Sequence, residues 1–223
     1  NQCPYTTSDV TSYRQDQLEP NIAAIEAGTG KPVQTLAWPC GCVDPGRKAA
    51  AASYYLSARG YYDYIAQLTW VQDINLPTPA DLYILNTANS YNQSFIDRAA
   101  SEGKWATVTS HGSCAGIDYM GSKKDVLWAA TIGEVTEYIY IRDHTQFSNF
   151  LRAGRTITFD AIHNLSPYQR QKVDGSFFSP IPFDDPVTLK IHILETDNVL
   201  NVQVNGTSVA YTIKTLDGAR FVL

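Results

Sequence analysis

The segment His111-Gly112-Ser113-Cys114-Ala115-Gly116 carries the side chains best suited to chemistry. It follows an alternating run over 105–110 that predicts a β-strand. In parallel α/β folds, the loops after the carboxyl ends of strands hold active sites. A histidine there titrates near neutral pH and can exchange protons with a substrate. We therefore predict His111 as a general acid or base and Gly112 as a substrate-binding residue; the alternative is a hydrogen-bonded structural histidine.

Cys114 offers a second possible chemistry, a thiol nucleophile between Gly112 and Gly116 at a strand-to-helix turn. The following residues, which include Asp118 and Gly121, make a poor helix start. A free thiol nucleophile also fits an oxidised protein poorly. A disulfide at Cys114 would exclude a cysteine hydrolase.

The segment Trp38-Pro39-Cys40-Gly41-Cys42 also follows a predicted strand, over 33–38. Proline and glycine constrain the backbone there, and an aromatic ring can stack on a sugar. We predict that Trp38, Pro39 and Gly41 bind substrate. The alternative is a turn held by a disulfide.

The four cysteines are Cys3, Cys40, Cys42 and Cys114. Zinc pairs are separated by about two to four residues, whereas Cys40 and Cys42 have one residue between them and no second Cys/His pair follows. We therefore expect disulfides. The three possible pairings stay open, although Cys40 and Cys42 are expected to bond elsewhere, for instance to Cys3 and Cys114.

The composition is that of a folded, acidic protein. Of 223 residues, 44% are hydrophobic and 17% charged, and the net charge is -5. Disordered chains are less apolar, and this charge gives no basic field for nucleic acid. No apolar run reaches the roughly 18 residues of a membrane span.

Two features predict a secreted glycoprotein, extracellular or in the cell wall. The cysteine number is even, and the chain has three glycosylation sequons, at Asn92, Asn164 and Asn205. The single methionine, Met120, is internal. We expect that a leader, and a longer segment, precedes Asn1 in a precursor.

Hydrophobic spacing predicts an α/β protein. Helices are expected over 19–27, 47–59, 90–102 and 132–142, and strands over 33–38, 82–85, 105–110 and 126–130. This alternation indicates parallel βα units. Five strands are predicted after 155, with Asn205-Gly206 as a hairpin turn. The domains are therefore predicted as 1–154 and a C-terminal antiparallel β module, 155–223.

Six segments in chain order resemble motifs of the NodB-like polysaccharide deacetylases, carbohydrate esterase family 4. They are 25–32, 37–41, 55–61, 109–112, 128–139 and 183–189, and the resemblance covers roughly 22–223. It implies a distorted (β/α) barrel that removes acetyl groups from a polysaccharide resembling chitin, xylan or an exopolysaccharide. It also implies a divalent metal, zinc or similar, bound by one Asp and two His, and a late His, matched by His111, that acts as acid.

The chain departs from this family before Gly30. The family's Asp-Asp and His-x-x-x-His motifs belong there, but these 29 residues contain no histidine. We therefore assign no metal ligand, and expect missing N-terminal strands to come from an N-terminal fragment or another protein chain. The alternative function is a non-catalytic extracellular glycan-binding protein or a structural or assembly subunit.

The remaining candidate residues have structural interpretations. Thr158-Phe159-Asp160-Ala161 is similar to the first family motif but is predicted to be an ordinary strand. We predict structural roles for His144, at a helix end, and for His163 and His192. Asp63 is either a residue that orients His111 or a surface aspartate.

Overall fold

The computed structural model describes residues 9–39, 43–60, 74–88, 91–108, 116–184, 188–216 and 219–223. The chain divides into two compact units, Asn1–Asp185 and Pro186–Leu223. The sequence predicted a boundary after 154, whereas residues 155–185 belong by contact to the first unit.

The described part of the first unit starts with consecutive helical segments. Helix α1, Val10–Tyr13, is capped by Asp9, and a π-helical turn, Arg14–Leu18, connects it to α2, Glu19–Thr29. Proline lies in the first turn of α2, and Gly30 ends it in the left-handed conformation at φ 68°. The predicted helix near Glu19 and its termination by glycine are both confirmed.

Four segments lie side by side in chain order and run parallel: two short strands, then a third segment that contains Leu85 and Ala88, and a fourth that contains Val108. Strand β1, Thr35–Ala37, pairs in parallel with β2, Ser57–Arg59. Arg59 forms a parallel bridge with Leu85, and Ala88 forms another with Val108. The segments 82–85 and 105–110, predicted as strands, thus contribute isolated bridges in the described residues.

Helix α3, Pro45–Ala51, is shorter than the predicted helix over 47–59. The prediction is wrong for its second half, because 57–59 form β2. Alanine favours a helix locally. However, Tyr54 and Leu56 are fully buried, and the Ala58 N–H donates to Leu82 O at 2.8 Å, so pairing and packing override the propensity.

Helices α4, Gln93–Ser101, α5, Ile117–Ser122, and α6, Ile132–His144, complete the helices of the first unit in the described chain. The sequence predicted α4 and α6, and both are confirmed. It also predicted a strand over 126–130, which is wrong. That segment is an irregular connection between α5 and α6, in which Val126 and Trp128 are 69% and 60% exposed.

Helix α6 packs against the amino-terminal ends of the first two strands through buried polar groups. The hydroxyls of Thr136 and Ser57 lie 2.8 Å apart, and Gln34 donates to Glu137 at 3.0 Å. Glu137 also accepts from the Asp184 backbone N–H at 2.7 Å. Paired in this way, buried polar groups carry little desolvation penalty and fix the position of the helix.

Among the described residues of the first unit, two clusters of buried apolar side chains form much of the hydrophobic core. One lies between α2, α3 and the first two strands, and its largest members are Leu18, Ile22, Trp38, Tyr54, Tyr55 and Phe178. The other packs α4 against the third and fourth parallel segments through Ile74, Ala88, Phe95, Ile96 and Ala99.

A hairpin follows α6, and the sequence predicted only its second strand, as the first of the five strands after 155. Strands β3, Gln146–Ala153, and β4, Thr156–Ile162, pair antiparallel, with a register shift between Ser148 and Leu151. Asn149 adopts φ 54° at that shift, as expected of a β-bulge. Thr158-Phe159-Asp160-Ala161 lies in β4, which confirms its interpretation as a strand.

The second unit is antiparallel. Strands β5, Ile191–Ile193, β8, Ile213–Leu216, and β9, Ala219–Val222, form a sheet in the order β5-β9-β8. Strands β6, Gln203–Val204, and β7, Thr207–Ser208, form a separate hairpin. Asn205 and Gly206 connect them at φ 51° and 77°, which confirms the predicted turn.

Candidate functional site

The candidate site lies where the parallel segments end. Backbone bonds join each segment to the next: Trp38 N–H donates to Arg59 O at 3.3 Å, Gly60 to Leu85 at 2.8 Å, and Ala88 to Thr107 at 2.9 Å. Because these segments share a direction, their carboxyl ends meet at one edge. This is the edge at which parallel α/β folds bind ligands.

Both neighbours of the 109–115 segment contact the same part of this edge. Val108, before it, bridges to Ala88. Gly116, after it, lies at φ 90°, where a Cβ would overlap the ring of Tyr91. We call Ala88, Tyr91, Asn92, Val108 and Gly116 the rim.

Tyr91 is held in the rim by α5 and α4. Its ring lies 6.3 Å from that of Tyr119, whose hydroxyl donates to Asp97. The Lys123 ammonium lies 3.7 Å from Asp97 and 5.3 Å from the Tyr119 ring centroid. The start of α5, and with it Gly116, is thereby fixed against α4.

A small cavity of about 200 Å³ opens at the rim beside the amino terminus of α4. It is lined by Ala88, Asn92, Ser94, Phe95 and Arg98. The Asn92 carboxamide oxygen caps α4 by accepting from the backbone N–H of Ser94 at 3.0 Å and from its hydroxyl at 2.8 Å. The cavity therefore combines an apolar floor with polar groups whose positions are fixed.

A layer of buried polar side chains lies along the third and fourth parallel segments. The Asn75 carboxamide donates to Asn86 O at 3.0 Å and accepts from its N–H at 2.8 Å. Thr87 donates to Thr107 O at 3.1 Å, and the Thr107 hydroxyl donates to Asn86 O. These bonds replace strand pairing and hold Ala88 and Val108 in place.

Most of the predicted site residues lie outside the described residues. These are His111 and Gly112, the four cysteines Cys3, Cys40, Cys42 and Cys114, and also Gly41 and Asp63. Their roles stay predictions. The presence of α5 directly after Gly116 does correct one argument, because the sequence predicted a poor helix start there.

Trp38 and Pro39 follow β1. Trp38 is 4% exposed, and its indole N–H donates to Tyr83 O at 2.8 Å. Pro39 is exposed. Trp38 thus packs in the core below the edge, and its contact with a sugar stays a prediction.

The three sequon asparagines, Asn92, Asn164 and Asn205, are all exposed. No helix in the described residues is long and apolar enough to cross a membrane. His192 is exposed, as its strand pattern predicted, and His144 lies in the last turn of α6, where its Nδ1 is 2.8 Å from Tyr140 O. The Nδ1 of His163 is buried and unpartnered within the described part of the chain.

The described residues do not fit the metal that the resemblance implies. Among them, no group of three or more His, Cys, Asp or Glu side chains could hold an ion. We therefore assign no reaction step to a metal.

Sequence reasoning missed the contribution of Tyr91 and Asn75 to the site. Neither belongs to a recognisable motif, and only the glycine at 116, noted as a turn residue, pointed to a close backbone contact. Comparison of the chain with protein-family models, curated proteins and solved structures finds no match.

Proposed function

We propose that the protein is a secreted polysaccharide deacetylase, a hydrolase in which His111 acts as general acid. The observation that supports it most is that the neighbours of the 109–115 segment, Val108 and Gly116, lie in the rim against Ala88 and Tyr91. His111, the proposed proton donor, follows the fourth parallel segment in the sequence. In α/β enzymes, substrates bind at the edge where such segments end. The exposure of the three sequon asparagines supports secretion.

In the proposed reaction, water adds to the acetyl carbonyl and the bond from that carbon to the sugar nitrogen or oxygen breaks. Acetate leaves, and His111 gives its proton to the departing atom. Of the two protons of the water, one returns to His111 and the other is released to solvent with the acetate. General acid catalysis of this kind contributes about 10²–10⁴-fold. The polymer is one resembling chitin, xylan or an exopolysaccharide.

The test is acetate release from acetylated chitin oligomers and acetylxylan by the intact protein. We expect His111→Ala to lower the rate about 10²–10⁴-fold, and His192→Ala, on an exposed strand of the second unit, to leave it unchanged. Parallel reactions with a chelator, and with zinc added back, measure any metal requirement. Equal activity of the two variants would refute the role of His111.

A non-catalytic glycan-binding protein is the second candidate. It is favoured by the four histidines, which are scattered at 111, 144, 163 and 192 with no pair at metal-ligand spacing. Polysaccharide pull-down without acetate release would support this alternative and refute the enzyme.

A further inference from the structure

Asn92 belongs to a glycosylation sequon and also lines the cavity beside α4. It is exposed, and it forms this sequon with Gln93 and Ser94. Its carboxamide oxygen is held by two hydrogen bonds, from the Ser94 backbone N–H at 3.0 Å and from the Ser94 hydroxyl at 2.8 Å. The acceptor of an N-linked glycan is therefore fixed in the wall of a cavity.

The cap of α4 and a glycan can share the Asn92 side chain. A glycan is attached to Nδ2 of an asparagine, whereas the two bonds that cap α4 are accepted by Oδ1. The linkage keeps the amide carbonyl, so an attached sugar leaves both capping bonds intact. The folded structure around Asn92 is thus compatible with the modification.

The size and lining of the cavity suit a single sugar residue. Its volume of about 200 Å³ is below the roughly 300–1,000 Å³ of pockets that enclose a whole ligand. The apolar face of one sugar ring can pack on Ala88 and Phe95. Its hydroxyl and acetamide groups then lie beside Ser94 and Arg98.

Covalent attachment makes so small a cavity sufficient. A free sugar loses translational and rotational freedom when it binds. A sugar already joined to Asn92 meets the cavity at the high effective concentration of an intramolecular contact. The position of Asn92 therefore favours the protein's own glycan over a substrate as the occupant of this cavity.

We propose that Asn92 carries an N-linked glycan and that the cavity holds the first N-acetylglucosamine of this glycan. The inference rests on the proposed secretion, because the glycan is attached in the secretory pathway. There, Nδ2 of Asn92 attacks the anomeric carbon of a lipid-linked oligosaccharide. A carbon–nitrogen bond forms and the carbon–oxygen bond to the lipid pyrophosphate breaks. The pyrophosphate leaves with the electron pair, and the nitrogen gives up one proton to solvent.

The test uses the full chain secreted by a eukaryotic host, in which peptide mass spectrometry should find Asn92 glycosylated. An endoglycosidase then trims every N-glycan to its first sugar. Asn92→Asp accepts no glycan but keeps a capping oxygen. We expect its melting temperature to be about 2–4 °C below that of the trimmed wild type. Asn164→Asp is the matched control, because Asn164 is an exposed sequon residue that does not line the cavity, and it should leave the melting temperature unchanged.

A double-mutant cycle tests whether the sugar lies in the cavity. Arg98→Ala should lower the melting temperature of the trimmed wild type more than that of Asn92→Asp, because only the former has a sugar beside Arg98. Lys104→Ala is the control. Lys104 pairs with Glu102, as Arg98 does, but does not line the cavity, so its effect should be equal in both proteins.

Three results would overturn the proposal: an unmodified Asn92, equal melting temperatures of Asn92→Asp and Asn164→Asp, or equal effects of Arg98→Ala with and without the sugar. Acetate release enters none of these measurements. A failure of the proposed reaction is therefore distinguished from a failure of this inference.

Discussion

Gly116 packs against Tyr91 so closely that a Cβ at position 116 would overlap the tyrosine ring. The backbone of Gly116 is also left-handed, at φ 90°. Glycine is therefore required twice, for its conformation and for its lack of a side chain. This contact fixes the point at which the chain leaves the 109–115 segment and enters α5.

Gly116→Ala should destabilise the protein by about 2–4 kcal/mol, the sum of left-handed strain and overpacking. Gly175→Ala is the matched control, because Gly175 lies at φ 87° and no atom lies within 4 Å of the point that an alanine methyl group would occupy. It should cost only the strain, about 1–2 kcal/mol. Urea unfolding measures both, and equal losses would show that the Tyr91 contact contributes nothing.

The buried ion pair between Arg170 and Glu26 joins distant parts of the first unit. Arg170 is fully buried, its Nη1 lies 2.7 Å from Glu26 Oε1, and its Nε donates to Ser179 O at 2.9 Å. Glu26 also accepts from the Val33 N–H at 2.8 Å. The guanidinium thus connects α2 to the segment that contains Ser179.

Arg170→Ala should cost about 3–5 kcal/mol, because it leaves a carboxylate desolvated without its cation. Lys104→Ala is the control, since Lys104 pairs with Glu102 at 2.7 Å on a more exposed surface, where such pairs contribute about 0–1 kcal/mol. Thermal unfolding at neutral pH compares the two variants. Similar melting temperatures would contradict the role given to the buried pair.

The capping box of α6 makes its stability depend on pH. The Thr131 backbone N–H donates to the Glu134 carboxylate at 2.7 Å. This bond, followed by the hydrogen bond of the Thr131 side chain, lowers the pKa of the Glu134 carboxyl below its ordinary value. A lowered folded-state pKa means that the contribution is present above the ordinary value and is lost as the pH falls through the folded value. Acidification therefore removes it.

Glu134→Gln should lower the melting temperature at pH 7, and the difference from the wild type should shrink as the pH is lowered from about 5 to about 3. Melting curves at several pH values provide the measurement. Glu195→Gln is a suitable control, since Glu195 is exposed in the second unit and should give no comparable pH-dependent difference. A deficit for Glu134→Gln that is constant with pH would contradict the assigned role.

Features with local physical causes were predicted from the sequence. Helix α2 ends at Gly30 because the left-handed backbone conformation there favours glycine. The turn between β6 and β7 forms at Asn205-Gly206 for the same reason. Helix α6, predicted from the spacing of its apolar residues, begins at a capping box formed by Thr131 and Glu134 that was not used in that prediction. In each case the residues that decide the structure are neighbours in the chain.

The tertiary structure decided what depends on distant contacts. Residues 57–59 form a strand within a helix-favouring segment because β1 and Leu85 pair with them. The apolar 126–130 segment forms no strand in the described structure. Strand β3 was not predicted, because its sequence pattern does not reveal its pairing with β4. The rim likewise exists because parallel segments bring Ala88, Val108 and Gly116 together. Spacing along the chain reports the local propensity of a segment, whereas its partners follow from long-range pairing and burial, whose free energies exceed that propensity.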